Sequence, residues 1–249
     1  MPSRKVDIVF CLDMSESMKP CIDAVRANIG RLLTQLQQAH FAWRLDFVAH
    51  CMPGRHIYRM VSVAGRTTRL LYHSGNAAEH FFTQDVEAFR RALGELEVCG
   101  DEDMLCALDT AIDFPFGPAN ETQRVVILVS DEPFETNEPE AFGQAKGKVE
   151  AIMEKIRARH ITFLAVMPVR EGGVVEQLSL CDRADIIPVE ENDLGMTQVD
   201  MVELFNQLGK TISVSTQQSS GEEPYQRALF GQDLWGAAGG GFQPIGDHK

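Results

Sequence analysis

Short apolar runs alternate along this chain with longer stretches whose apolar positions recur at helical spacing. Val6–Leu12 (VDIVFCL) is the first run and predicts a buried strand. A helix is expected from Pro20 to about Ala39, with Ile22, Val25, Ile29, Leu32, Leu33 and Leu36 on one face. Trp43–Cys51 alternates through Trp43, Leu45, Phe47 and Ala49, the period of a strand. Ile57–Val63 and Arg69–Tyr72 read as weaker strands forming an edge pair. Asp85–Leu96 and Met104–Phe114 read as helices, and Arg124–Ser130 (RVVILVS) as the clearest buried strand. Ala141–Arg159 predicts a long helix, Ile161–Met167 a strand, Val174–Cys181 a short helix, Asp185–Val189 a short strand and Val199–Val214 the last helix.

Repeated strand–helix alternation predicts a Rossmann-like α/β fold: a doubly wound, mostly parallel six-stranded sheet with helices on both faces. Residues 1–215 form this domain. Residues 216–249 differ: they hold seven of the 20 glycines and read as a mobile Gly-rich extension. Within it, Tyr225, Leu229, Phe230, Leu234 and Trp235 recur at helical spacing, either as a helix on the domain's own surface or as a docking peptide for a partner.

At 249 residues and 44% hydrophobic, the chain can bury a sizeable core. Its net charge of −13 gives little long-range attraction for nucleic acid or anionic membrane. No apolar run reaches the roughly 18 residues of a membrane span. Met1–Lys5 leads into a stretch that contains Asp7 and lacks a secretory pattern. The six cysteines form no CxxC pair and sit mostly in apolar stretches, which suits reduced thiols in a cytoplasm.

Ligands of doubly wound sheets bind beyond the carboxyl ends of the strands, where strand order reverses. After the first strand comes Asp13-Met14-Ser15-Glu16-Ser17, and after RVVILVS comes Asp131-Glu132. Gly100-Asp101-Glu102-Asp103 opens a helix between them. With strand order 3-2-1-4-5-6, Asp13 and Asp131 flank the switch point and converge. Facing carboxylates repel unless a cation joins them. Ser15 and Ser17 add hydroxyl oxygens, so the all-oxygen set suits a hard cation: Mg²⁺, with Mn²⁺ or Ca²⁺ as alternatives. Two plainer readings stand beside this. Ser15 or Ser17 caps the helix near Pro20, and Asp101–Asp103 is an acidic first helical turn. Glu132 and Glu135 read as solvated loop residues.

Asp13-x-Ser15-x-Ser17 after an apolar strand resembles the metal-ion-dependent adhesion site of von Willebrand factor A (VWA) domains, over roughly Lys5–Val214. The family's last metal-site aspartate follows its fourth core strand and matches Asp131. Its third ligand position, usually threonine, is acidic here: Asp101, or Glu102 or Asp103 by a shifted alignment. The resemblance implies metal ligation by Asp13, Ser15, Ser17, Asp101 and Asp131. It also implies a Mg²⁺-dependent protein-binding adaptor or scaffold rather than an enzyme, in which a partner's Glu or Asp completes the coordination. Among VWA proteins the chain looks like the intracellular bacterial TerY-like group linked to tellurite resistance and stress. By analogy, its partners would be kinases, phosphatases or AAA+ ATPases.

The rival function is a metal-dependent phosphoesterase using the same carboxylates, and a further alternative is a metal-free scaffold. A phosphoesterase needs a nucleophile or second metal and a general acid, yet only Lys19 falls among these loops. Ser15 stands where a haloacid-dehalogenase phosphatase needs its second aspartate. The chain has no Gly-x-Ser-x-Gly elbow, and the seven histidines show no metal-ligand spacing and read as surface or packing residues.

Overall fold

The computed structural model describes residues 4–51, 56–63, 66–71, 81–96, 98, 104–132, 139–168, 177–181, 183–189 and 200–218. The strands are β1 (Arg4–Asp13), β2 (Phe41–Cys51), β3 (His56–Val63), β4 (Arg66–Leu71), β5 (Thr122–Val129), β6 (Ile161–Pro168) and β7 (Ala184–Val189). The helices are α1 (Lys19–Gln38), α2 (Val86–Gly94), α3 (Met104–Ile112), α4 (Pro139–Ala158) and α5 (Met201–Gln218). A short 3-10 turn, Glu16–Met18, leads into α1.

The sheet order is β4-β3-β2-β1-β5-β6-β7. Strands β2, β1, β5, β6 and β7 run parallel, and β3 and β4 pair antiparallel at one edge. The doubly wound architecture is as expected, but the sheet has seven strands rather than six. The two weak segments after β2 each form a full strand, because they fold back on one another as a hairpin with Met60 opposite Arg69. Of the short helix expected at Val174–Cys181, residues 177–181 are described and only 177–178 are helical. The last helix runs to Gln218, beyond Val214.

The core has two halves, one on each face of the sheet. Val6, Ile8, Phe10 and Leu12 of β1 face α1, α2 and α5, while Val9 and Cys11 face α3 and α4. This alternation in a strand buried on both faces explains why VDIVFCL reads as apolar at every position but Asp7. Phe89 of α2 packs its ring 5.8 Å from Phe10 and 5.9 Å from Phe47. Burying each such side chain stabilises the fold by about 1.5–3 kcal/mol before ordering costs. Cys11, Cys21 and Cys181 are buried thiols within these layers. No described helix is long and apolar enough to cross a membrane.

Local signals fix the helix ends. Pro20 stands in the first turn of α1, where its missing N–H costs nothing. Asp85 caps α2, its carboxylate accepting from the Ala88 N–H at 3.0 Å. Helices α1 and α4 both stop at a histidine with positive φ, His40 at 61° and His160 at 53°. Each His N–H returns to a carbonyl three residues back, Gln37 at 2.9 Å and Arg157 at 3.0 Å. A left-handed residue ends a helix because the chain there cannot continue the ladder. Each histidine is exposed and directly precedes the next strand, so its role there lies in the backbone turn.

Candidate metal centre

The parallel register of β1 and β5 pairs Leu12 with Val129 at the end of their ladder. The next residues, Asp13 at the last position of β1 and Ser130 just past β5, therefore stand side by side, and Asp131 follows at once. Chain connections depart in opposite directions from β1 and β5, which makes this the switch point of the sheet.

Asp13 is fully buried and Ser15 nearly so, while Asp131 is half-buried and Ser17 exposed. The Ser15 N–H donates to Asp13 Oδ1 at 2.7 Å, which closes the tight turn after β1. The Ser15 hydroxyl donates to Asp131 Oδ1 at 3.4 Å and lies 3.0 Å from the Ser17 hydroxyl. Asp13, Ser15, Ser17 and Asp131 thus form one connected cluster drawn from two strand exits. Neither hydroxyl caps a helix. Ser15 precedes the 3-10 turn without a side-chain cap bond, and Met18 occupies the cap position of α1. The capping alternative is thereby set aside.

Burial raises the Asp13 carboxyl above the ordinary aspartate range. Hydrogen bonds from Ser15 and Ser130 oppose that effect, and the charge of Asp131 adds to it. Among the described residues neither Asp13 nor Asp131 forms an ion pair with a Lys, Arg or His. Cys21, buried near the start of α1, has its thiol pushed far up by burial and by the charges of Asp131 and Asp13. It stays a neutral thiol, a poor ligand for a soft metal.

The donor set that remains is two carboxylates and two hydroxyls, with unbalanced negative charge on the buried side. Such a set fits a hard divalent cation of the Mg²⁺ type. Among the described residues no three His, Cys, Asp or Glu side chains gather at one point. Asp101, Glu102 and Asp103 lie outside the described residues; α3 begins directly after them, at Met104.

Ser130 is the residue that sequence reasoning missed. It is 1% exposed, and its hydroxyl donates to Asp13 Oδ2 at 2.7 Å. The available signal was a polar residue closing an otherwise apolar strand.

No protein-family model matches the sequence, and no curated protein matches it. Solved structures do match the fold. The SpaC pilus adhesin of Lactobacillus rhamnosus GG is similar over 86% of this chain at 16% identity and TM-score 0.51. The chain spans only 31% of that adhesin's length. The SpRpn10 VWA domain is similar over 82% of this chain and 95% of its own length, at 10% identity and TM-score 0.52. At such identities the likeness concerns the path of the backbone. This chain has the fold of a von Willebrand factor A domain.

Proposed function

We propose that this protein is a Mg²⁺-dependent protein-binding module, an adaptor or scaffold rather than an enzyme. The observation that carries the reading is the meeting of Asp13, Ser15, Ser17 and Asp131 at the switch point. Asp13 and Asp131 would supply charge, and Ser15 and Ser17 neutral oxygens. Asp101 would serve as the acidic third-loop ligand. The cation would supply a positive centre that accepts an acidic side chain from a protein partner.

The VWA fold of the neighbours supports an interaction role, because one of them is a pilus adhesin. The buried thiols Cys11, Cys21 and Cys181 suit a cytoplasmic setting. A bacterial stress-response or tellurite-resistance-like context, with kinase, phosphatase or AAA+ ATPase partners, rests on the sequence resemblance to TerY-like proteins alone.

Calorimetric titration of MgCl₂ into the full EDTA-stripped chain tests the reading. The expected result is binding of one Mg²⁺ that Asp13→Ala abolishes. Absence of binding by Mg²⁺, Mn²⁺ and Ca²⁺ to the parent protein would overturn it.

A further inference from the structure

The Ser130 hydroxyl sits where three parts of the cluster meet. It donates to Asp13 Oδ2 at 2.7 Å and accepts from the Glu132 N–H at 3.1 Å. The Glu132 carbonyl lies 2.8 Å away as a second acceptor for its single proton. Ser130 itself is held rigidly, because its N–H donates to the Val166 carbonyl of β6 at 3.0 Å. Asp131 is the next residue after it, two past the end of β5.

We infer that Ser130 is a positioning residue of the cation site, one that orients Asp13 and ties it to the loop carrying Asp131. The inference rests on the metal-binding reading proposed above and names what gives that site its affinity. The argument is geometric. The Asp13 carboxylate accepts from the Ser15 N–H at Oδ1 and from the Ser130 hydroxyl at Oδ2. The first donor comes from the same turn and moves with it. The second comes from the exit of the neighbouring strand, so it ties the carboxylate directly to β5. The contact from Glu132 to Ser130 then fixes the backbone on the far side of Asp131 against the same hydroxyl.

Without that hydroxyl the Asp13 carboxylate can turn about its own side chain, and the Glu132 N–H loses that acceptor. The two ligand carboxylates would no longer be held at a set spacing. Groups that orient metal ligands in this way typically contribute about 10–100-fold in metal affinity.

The experiment uses the full chain, stripped with EDTA, as parent, Ser130→Ala, Ser130→Cys and Ser130→Thr. The Cys variant fills nearly the same volume with a much weaker donor, which guards against a packing defect. Mg²⁺ affinity is read by calorimetry, and metal-free stability by thermal unfolding in EDTA. The expected result is an affinity loss of about tenfold or more in both the Ala and Cys variants. Ser130→Thr, which restores the hydroxyl, should return affinity to within a few-fold of the parent. The affinity pattern should follow the presence of the hydroxyl and not the rank order of melting temperatures. Binding within twofold of the parent by either the Ala or the Cys variant overturns the inference and leaves the metal site standing. A parent protein that binds no Mg²⁺ overturns both.

Discussion

Asp13 and Asp131 meet through Ser15, whose N–H donates to the first at 2.7 Å and whose hydroxyl donates to the second at 3.4 Å. The two carboxylates repel, and burial adds to the cost of charging Asp13. A negative charge held at some cost in the metal-free fold is what a cation can neutralise. On the proposed metal-binding reading, the cluster would trade stability without metal for affinity with it.

A pH dependence follows for the metal-free protein. The folded Asp13 carboxyl titrates above its unfolded value, so the folded state binds more protons in between. Its contribution to stability is then most favourable below the ordinary aspartate range, near about pH 4. It is lost as pH rises through the raised folded value. Asp13→Asn removes this titration, and the Ser130 hydroxyl can turn to accept from the new amide. In EDTA the Asn variant should be more stable than the parent at pH 7, and the gap should narrow toward pH 4. Urea unfolding across that range is the measurement. A gap that stays constant would mean that Asp13 carries no charge penalty in the fold.

The cation itself should appear as stability. A ligand bound only by the native state stabilises by about 2.7 kcal/mol at a hundredfold excess over Kd. Millimolar Mg²⁺ should raise the melting temperature of the parent above its value in EDTA. Asp13→Ala should show the same melting temperature in both.

Much of the fold was legible because its strands are buried on both faces. β1, β5 and β6 read as short, nearly continuous apolar runs of strand length. The hairpin of β3 and β4 was weaker, because edge strands carry polar residues such as Arg66, Thr67 and Thr68. The helix ends near Ala39 and Arg159 were legible from where the apolar pattern stops, but the left-handed turns at His40 and His160 were not, since glycine is the usual sign of one. In the site, Asp13, Ser15 and Ser17 stood out as an Asp-x-Ser-x-Ser string after an apolar run, and Asp131 as the acid that follows RVVILVS. Ser130 did not, because its partner is set by the pairing of Leu12 with Val129, and that register is a property of the sheet. The Asp7–Arg44 pair was hidden for the same reason: the two residues are paired across β1 and β2.

The acidic third loop offers a separate test. Asp101 lies outside the described residues, and its role rests on the sequence. If it ligates directly, Asp101→Thr removes one attraction and should lower Mg²⁺ affinity on the order of tenfold. An acidic partner group should then bind more tightly at saturating Mg²⁺. Calorimetry on parent and variant decides, and equal affinities would assign Asp101 to the first turn of the helix.

Asp7 marks the opposite end of β1 and supplies the control. It is 1% exposed and accepts from Arg44 Nε at 2.8 Å, Arg44 Nη2 at 2.5 Å and the Gly117 N–H at 2.8 Å. The Arg44 guanidinium also lies 4.7 Å from the Phe82 ring centre. Arg44→Ala strands a buried carboxylate with the Gly117 N–H as its described donor. Removing one partner of a wholly buried pair costs about 3–5 kcal/mol. Arg44 is partly exposed, so the expected loss is roughly 2–3 kcal/mol. Mg²⁺ affinity should stay unchanged, because this pair sits at the other end of the strand. A variant with parental urea stability would show that solvent replaces Arg44 at no cost.

The last prediction concerns residues 219–249, which lie outside the described residues. The described core side chains of α5 are Leu204, Phe205, Leu208 and Ile212, all well before the helix ends at Gln218. Truncation after Gln218 therefore removes no described core residue. The truncated protein should unfold cooperatively and keep its Mg²⁺ response. Tyr225, Leu229, Phe230, Leu234 and Trp235 bear on a different question. Burying such side chains is worth about 1.5–3 kcal/mol each before ordering costs, enough to hold the stretch Pro224–Trp235 against the domain. Limited proteolysis of the full chain should then cut after Gly236 well before it cuts within Pro224–Trp235. Rapid cleavage inside that stretch would show that its apolar face is kept for a partner. A truncated protein that fails to fold would place the extension in the core and move the domain boundary past Gln218.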